Sequence, residues 1–140
     1  MPGVRTATSQ RGGVVSGLTP KLSVMNLLTI SIEQRSGFSL VALDGVLDHQ
    51  TQPCLLRVFD RLLDEPTPRI VIDARELRFC DSHGLWVLIS GQRRAEELGG
   101  AIRLIGVHGT LARLLTLTQL VDLFPPYASL AQAGTWPAHG

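Results

Sequence analysis

The chain has 140 residues, 44% of them hydrophobic, and a formal net charge of +1. This is enough apolar material for one domain that builds its own core without disulfides. Basic and acidic residues are interspersed, so the charge pattern gives no case for nucleic acid or an anionic membrane as a partner. No apolar run approaches the ~20 residues that span a bilayer, so we expect a cytoplasmic protein without membrane insertion.

The domain boundaries follow from composition. Residues 1 to 26 are rich in Gly, Ser and Thr, which predicts a disordered N-terminal tail. Met25 is an alternative start, because strand-like residues begin almost directly after it. We place the domain at residues 27 to 133 and expect residues 134 to 140 to form a frayed C-terminal tail.

The first half of the domain predicts a hairpin and a helix. Alternating apolar residues predict a β-hairpin from about 28 to 45. A helix then follows, with Asp48 or Thr51 as its cap and Pro53 in its first turn.

The central stretch predicts a strand, a loop, a polar turn and a helix. The strand covers residues 69 to 73, and the polar residues after it predict a loop. Apolar residues from Leu85 to Leu98 recur at helical spacing, with Gln92 in the same stripe. Trp86 lies off this stripe. It is either an exposed aromatic residue that anchors an interface or a residue packed under a neighbouring loop.

The polar turn is where we expect function. Asp81 and Ser82 are the natural N-cap pair, so the unpaired N–H groups and the positive helix dipole point outward at Ser82 and His83. Glycine at position 84 lets another backbone or a partner come close.

The remaining elements complete an alternating pattern, which predicts an α/β fold: a mixed β-sheet of about four to five strands with helices packed against it. They are a strand at Ala101 to Ile105, a helix capped by Thr110, a short edge strand at Val121 to Phe124 and a helical turn at Ser129 to Ala133.

Three motifs resemble those of STAS domains, the sulfate-transporter and anti-sigma-factor-antagonist fold. The run Leu-Arg-Phe-Cys-Asp-Ser-His-Gly-Leu at 77 to 85 is similar to the family's hydrophobic-x-hydrophobic-x-Asp-Ser-Ser/Thr-Gly-Leu signature. Gly-Val-Leu-Asp at 45 to 48 resembles its Gly-Glu-Leu-Asp, and Gly-Gly-Ala-Ile-Arg-Leu at 99 to 104 its entry into a strand. The resemblance covers about residues 27 to 133.

The resemblance implies a binding protein and not an enzyme. The expected activity is that of an anti-sigma factor antagonist, which binds an anti-sigma factor with a histidine-kinase-like ATPase fold and so frees a sigma factor for transcription. It implies no cofactor, and it leaves a homodimer open. The partner-binding residues would be Asp48, Asp81, Ser82, His83 and Gly84.

One position departs from the family's pattern. In members with a phosphorylation switch, the second residue after the Asp is a Ser or Thr that the partner kinase phosphorylates, and here it is His83. Ser82 matches the preceding serine; it is a candidate phosphorylation site, although we favour a capping role for its hydroxyl. The alternative function is a non-phosphorylated STAS scaffold subunit of a signalling assembly or transporter complex.

Other chemistry has little support. Ser82 and His83 are adjacent at a strand-helix turn, where their side chains diverge, so we expect no nucleophile-base pair and no catalysis. The four histidines and two cysteines lack metal-ligand spacing, so we predict no metal site. His49, His83 and His108 all fall at loop-helix junctions, which leaves their proximity in the fold open. Cys54 and Cys80 are expected to be buried free thiols.

Overall fold

A computed structural model of the chain describes residues 27 to 137. The predicted N-terminal tail and the last three residues of the predicted C-terminal tail lie outside the described residues. The strands are β1 (Leu28–Arg35), β2 (Phe38–Leu47), β3 (Arg69–Cys80) and β4 (Ala101–Ile105), and the helices are α1 (Gln52–Leu62), α2 (Ser82–Glu97), α3 (Gly109–Leu117) and α4 (Leu130–Ala133).

The four strands form one mixed sheet in the order β1-β2-β3-β4. β1 and β2 are antiparallel and form the predicted hairpin, whereas β3 pairs in parallel with both β2 and β4. Helices α1 and α2 are the crossovers that parallel neighbours require. The predicted mixed sheet with packed helices is therefore confirmed.

The central strand is longer than the sequence predicts. β3 continues to Cys80, so the prediction of a loop after residue 73 is wrong. The register shifts twice along the β2/β3 pair, because β3 takes three steps from Asp73 to Glu76 where β2 takes two from Ala42 to Asp44, and again further on. Such bulges break the two-residue alternation by which a strand is recognised.

The predicted edge strand at Val121 to Phe124 is also wrong. These residues form turns, and Phe124 is 3% exposed and belongs to the core. β4 instead pairs beyond the sheet through one isolated bridge, from Ile105 to Tyr127. The apolar character of the segment therefore reflects core packing by a turn rather than strand pairing.

The main core lies between one face of the sheet and helices α1, α2 and α3. Alternate residues of the parallel strands point into it, and the core includes Val41, Leu43, Ile70, Ile72, Ile102 and Leu104. In α1, Leu55 and Phe59 are fully buried, and in α2 Val87 and Leu88 are. Within residues 27 to 137, no helix is long and apolar enough to cross a membrane.

A smaller cluster covers the second face of the sheet. Val71, Ile105 and Ala133 are buried there, with aromatic side chains packed around them. Arg103 on β4 places its guanidinium carbon 3.7 Å from the Trp136 ring centroid. The same guanidinium donates hydrogen bonds to the carbonyl oxygens of Ala133 (3.0 Å) and Thr135 (2.9 Å). The segment after α4 is thus bound to the sheet as far as Trp136, inside the predicted frayed tail.

Candidate partner-binding site

Two neighbouring strands end side by side and position the site. Leu47 at the end of β2 pairs with Cys80 at the end of β3. The loop that follows β2, residues 48 to 51, therefore lies against the turn that follows β3 and begins α2. We call residues 48 to 51 and residues 81 to 86 together the docking surface.

Asp81 connects the two segments of the docking surface. It is the N-cap of α2, and its Oδ1 accepts the Gly84 backbone N–H at 3.0 Å. Its Oδ2 accepts the backbone N–H of His49 at 3.3 Å. Burial alone would raise the pKa of this carboxyl, but the hydrogen bonds from Gly84 and His49 and the neighbouring His83 lower it below its usual value. Asp81 is therefore ionised at neutral pH.

Ser82 is not part of the cap. It is the first residue of α2 and is exposed, and among the described residues its hydroxyl has no hydrogen-bond partner. The capping role expected for this hydroxyl is wrong: Asp81 is the N-cap, and its carboxylate is the side-chain group that accepts the Gly84 N–H. The Ser82 hydroxyl is left facing solvent.

Asp48 shapes the loop of the docking surface. Its Oδ1 accepts the backbone N–H groups of Gln50 (2.9 Å) and Thr51 (3.1 Å), which closes an Asx-type turn. Thr51 is the N-cap residue of α1, but its hydroxyl donates to the Val46 carbonyl at 2.8 Å and does not cap the helix. Pro53 lies in the first turn of α1, as predicted. Asp48 thus maintains the loop from within, and its carboxylate is half-buried.

His83 and His49 lie together on the docking surface. The His83 Nδ1 is 3.5 Å from the Asp81 Oδ2, and the His83 side chain is 55% exposed. The ring of His49 lies across from it, with ring centroids 5.0 Å apart and ring planes at 58°. Sequence reasoning missed His49 as a site residue, since its only signal was a position at a loop-helix junction 34 residues away. The contact between the two loops brings the rings together.

Gly84 is buried and serves packing. A Cβ at this position would lie 2.6 Å from the Leu47 carbonyl oxygen and 2.7 Å from the Leu47 Cγ. Only glycine lets α2 begin this close to the end of β2. Of the two predicted reasons for a glycine here, the structure shows the approach of another backbone, and Gly84 offers a partner no side chain.

Trp86 resolves the alternative that the sequence left open. It is 56% exposed, so it is not packed under a loop. It lies three residues after His83 and four after Ser82, the spacing at which helix side chains are neighbours. The exposed part of the docking surface therefore includes a large aromatic ring.

The thiol behind the docking surface is inert. Burial raises the pKa of Cys80 to about 12, with a contribution from the charge of Asp81. The backbone N–H of Cys80 donates to the Thr110 hydroxyl at 2.8 Å. Thr110 therefore joins α3 to β3 and is not the cap of α3, which is His108. Cys80 and Cys54 are both free thiols, but the prediction that both are buried is wrong for Cys54, which lies half-buried in the first turn of α1.

Among residues 27 to 137 there is no group of three or more His, Cys, Asp or Glu side chains that could hold a metal ion.

Comparisons with known proteins agree with this geometry. The chain is 29% identical over 109 residues to an anti-sigma F factor antagonist of Paenibacillus polymyxa, a match that covers 77% of this chain and 93% of the relative. A crystal structure of an anti-sigma factor antagonist from Mycobacterium paratuberculosis is 27% identical, with a TM-score of 0.68 over 76% of this chain and 90% of that one. The anti-sigma factor antagonist SpoIIAA in its unphosphorylated form shares the fold, with a TM-score of 0.63 at 19% identity over 74% of this chain and 91% of that one.

A family model described as "Mlab, STAS domain" matches residues 30–125, which is more than half of the chain. The match extends from β1 to the turn after Phe124 and includes the whole docking surface. The chain belongs to the STAS domain family.

Proposed function

We propose that the chain is an anti-sigma factor antagonist that acts in the cytoplasm. In this proposal it binds an anti-sigma factor with a histidine-kinase-like ATPase fold and thereby releases a sigma factor. Membership of the STAS family and the two relatives at 29% and 27% identity support it. The observation that carries it is the position of His83, exposed on the first turn of α2 where the family's signature has its Ser or Thr.

The docking surface has the composition of a protein interface. Trp86 offers a large, exposed aromatic ring of the type that anchors interfaces. Ser82, His83 and His49 surround it with polar groups that are also exposed. The rigid Asp81 cap connects the two loops, so the surface is already formed before a partner binds.

His83 changes how such an antagonist is regulated. A phosphate on a hydroxyl at this position would add about two negative charges to the docking surface and repel a partner matched to the unmodified form. An imidazole is not a substrate for a kinase that phosphorylates serine. We therefore infer an antagonist that stays competent to bind, with Ser82 as the remaining exposed hydroxyl on this turn.

The test compares three untagged baits, the native chain, His83→Ser and His83→Glu, in a lysate of the source organism. Captured proteins are identified by mass spectrometry, and the captured anti-sigma factor is then purified for direct binding measurements. We expect the native and Ser forms to bind it and the Glu form to bind at least tenfold more weakly. After incubation with ATP, the intact mass should show phosphate on His83→Ser alone.

Gln34→Glu is the matched control. It adds the same charge at an exposed position of β1, near the hairpin turn and at the end of the strands opposite to the docking surface. It should bind like the native chain. Equal binding by His83→Glu would show that the docking surface is elsewhere, and phosphate on the native chain would identify Ser82 as the acceptor.

A second function is favoured by the same residue. A STAS domain without an acceptor hydroxyl at position 83 also suits a scaffold subunit of a signalling assembly or transporter complex. In that case the pull-down would recover a permease or an assembly component and no kinase-fold protein. The His83→Ser bait would then remain unphosphorylated in the presence of ATP.

A further inference from the structure

Two imidazoles converge on the docking surface from separate parts of the chain. The His49 and His83 ring centroids are 5.0 Å apart, with an angle of 58° between the planes. Both residues are exposed, and the Asp81 carboxylate restrains them by accepting the His49 N–H and contacting the His83 Nδ1. The proposed binding of an anti-sigma factor does not depend on this contact between the two rings.

The distance between the ring centroids is the one expected for two imidazoles bound to one metal ion. Imidazole nitrogens bind zinc at about 2.0–2.1 Å, which puts the ring centroids of two imidazoles on a tetrahedral ion about 5 Å apart. Neutral imidazole is a preferred ligand of Zn²⁺, Ni²⁺ and Cu²⁺, whereas Mg²⁺ and Ca²⁺ prefer oxygen ligands.

We propose that His49 and His83 form a two-histidine site for a divalent transition metal ion, with water completing its coordination. Asp81 contributes charge and not a third ligand, because Oδ1 is hydrogen bonded to Gly84 and Oδ2 to His49. Its negative charge offsets the positive end of the α2 dipole, which would otherwise repel a cation. A site with two protein ligands binds reversibly, so it suits a regulatory or recruiting ion rather than a structural one.

The test is calorimetric titration of the untagged chain with NiCl₂. We expect one Ni²⁺ per chain for the native protein and at least a tenfold loss of affinity in His49→Ala and in His83→Ala. Their exposed side chains make folded variants the expectation, and circular dichroism verifies it. The control His108→Ala alters a histidine whose ring contacts the Arg75 carbonyl, and it should bind like the native chain.

A second measurement locates the ion. Paramagnetic Ni²⁺ should broaden the backbone amide signals of residues 48 to 50 and 82 to 84 before those of β1. Equal affinity for the native chain and the His49→Ala/His83→Ala double variant would overturn the proposal, as would broadening centred elsewhere. Neither readout involves an anti-sigma factor, so the result is independent of the proposed function.

Discussion

At the scale of single residues, Gly84 sets how closely α2 approaches β2. In Gly84→Ala the added Cβ would overlap the Leu47 carbonyl and side chain, and both neighbours are held in the core. We expect a loss of about 1–3 kcal/mol in the free energy of unfolding, the usual cost of overpacking. Urea denaturation measures this loss.

Ser82→Ala, two residues earlier on the exposed side of the same turn, is the control for Gly84→Ala. Its free energy of unfolding should stay within about 0.5 kcal/mol of the native value, as is usual for surface substitutions. A Gly84→Ala protein as stable as the native chain would show that α2 can shift away from β2 without cost.

Asp81 makes stability depend on acid pH. Its pKa is lowered in the folded chain, so folding favours the ionised form, and the stability this adds is present above the unfolded value of about 3.9. It is lost as the pH falls through the lower folded pKa. Asp81→Asn keeps a capping side chain but has no charge to titrate.

We therefore expect Asp81→Asn to be less stable than the native chain at pH 7, with a difference that narrows between pH 5 and pH 3. Thermal unfolding across this range measures the difference. Ser82→Ala removes no titrating group, so its offset should not vary with pH. A difference in stability that stays constant with pH would mean that the Asp81 carboxyl of the native chain has the same pKa in the folded and unfolded states.

At the scale of elements, Gln92 connects three segments through one buried amide. Its Oε1 accepts the Ile102 N–H at 2.6 Å, and its Nε2 donates to the Leu123 carbonyl at 3.1 Å. Gln92→Leu keeps the volume but leaves the N–H of β4 without a partner. We expect the free energy of unfolding, measured by chemical denaturation, to fall by about 1–3 kcal/mol.

Arg93→Ala, at the next residue and exposed on α2, should change the stability by less than about 0.5 kcal/mol. If Gln92→Leu unfolds at the native denaturant concentration, water replaces the amide at β4. The turn around Leu123 would then need no bond to α2.

The order of the elements could be predicted from the sequence, but the extent of the central strand could not. Periodicity identified the hairpin, α1, α2 and β4, because each has a continuous apolar face. β3 beyond residue 73 has bulges and a face that is largely exposed, so neither period applies to it. The turn at Val121 to Phe124 is apolar for a tertiary reason, the burial of Phe124.

Only the local part of the candidate site could be predicted from the sequence. Asp81 as the cap of α2 follows from local rules, whereas the contacts of Asp81 with His49 and of Thr110 with Cys80 cross more than 25 residues of sequence. The pairing of Leu47 with Cys80 brings His49 to Asp81, and the packing of α3 on β3 brings Thr110 to Cys80. No local pattern encodes either contact.

At the scale of the whole molecule, the described residues build a continuous core. Its buried members extend from Leu28 to Ala133, and Trp136 packs beyond them. We expect a chain of residues 27 to 137 to unfold cooperatively with the same urea midpoint as the full chain. A lower midpoint would show that residues outside this range contribute to stability.

A chain that ends at residue 126 is the contrasting variant. It lacks Tyr127, α4 and Trp136, which cover the second face of the sheet. We expect its free energy of unfolding to fall by at least about 2 kcal/mol, since burying one large apolar side chain contributes about 1.5–3 kcal/mol. Denaturation of the two truncated chains side by side separates the contributions of the two ends.

The two ends of the described domain lie at opposite ends of the parallel strands. The Leu27 carbonyl accepts the Val46 N–H at 2.9 Å, beside the docking surface, whereas the Pro137 carbonyl accepts from Arg69, the first residue of β3, at 3.3 Å. In a chain of residues 27 to 137, a fluorescent protein or sensor chip attached at residue 27 would lie beside the docking surface and crowd it. Attachment after residue 137 leaves it open, so the C-terminal side is the place for immobilisation and for reporter fusions.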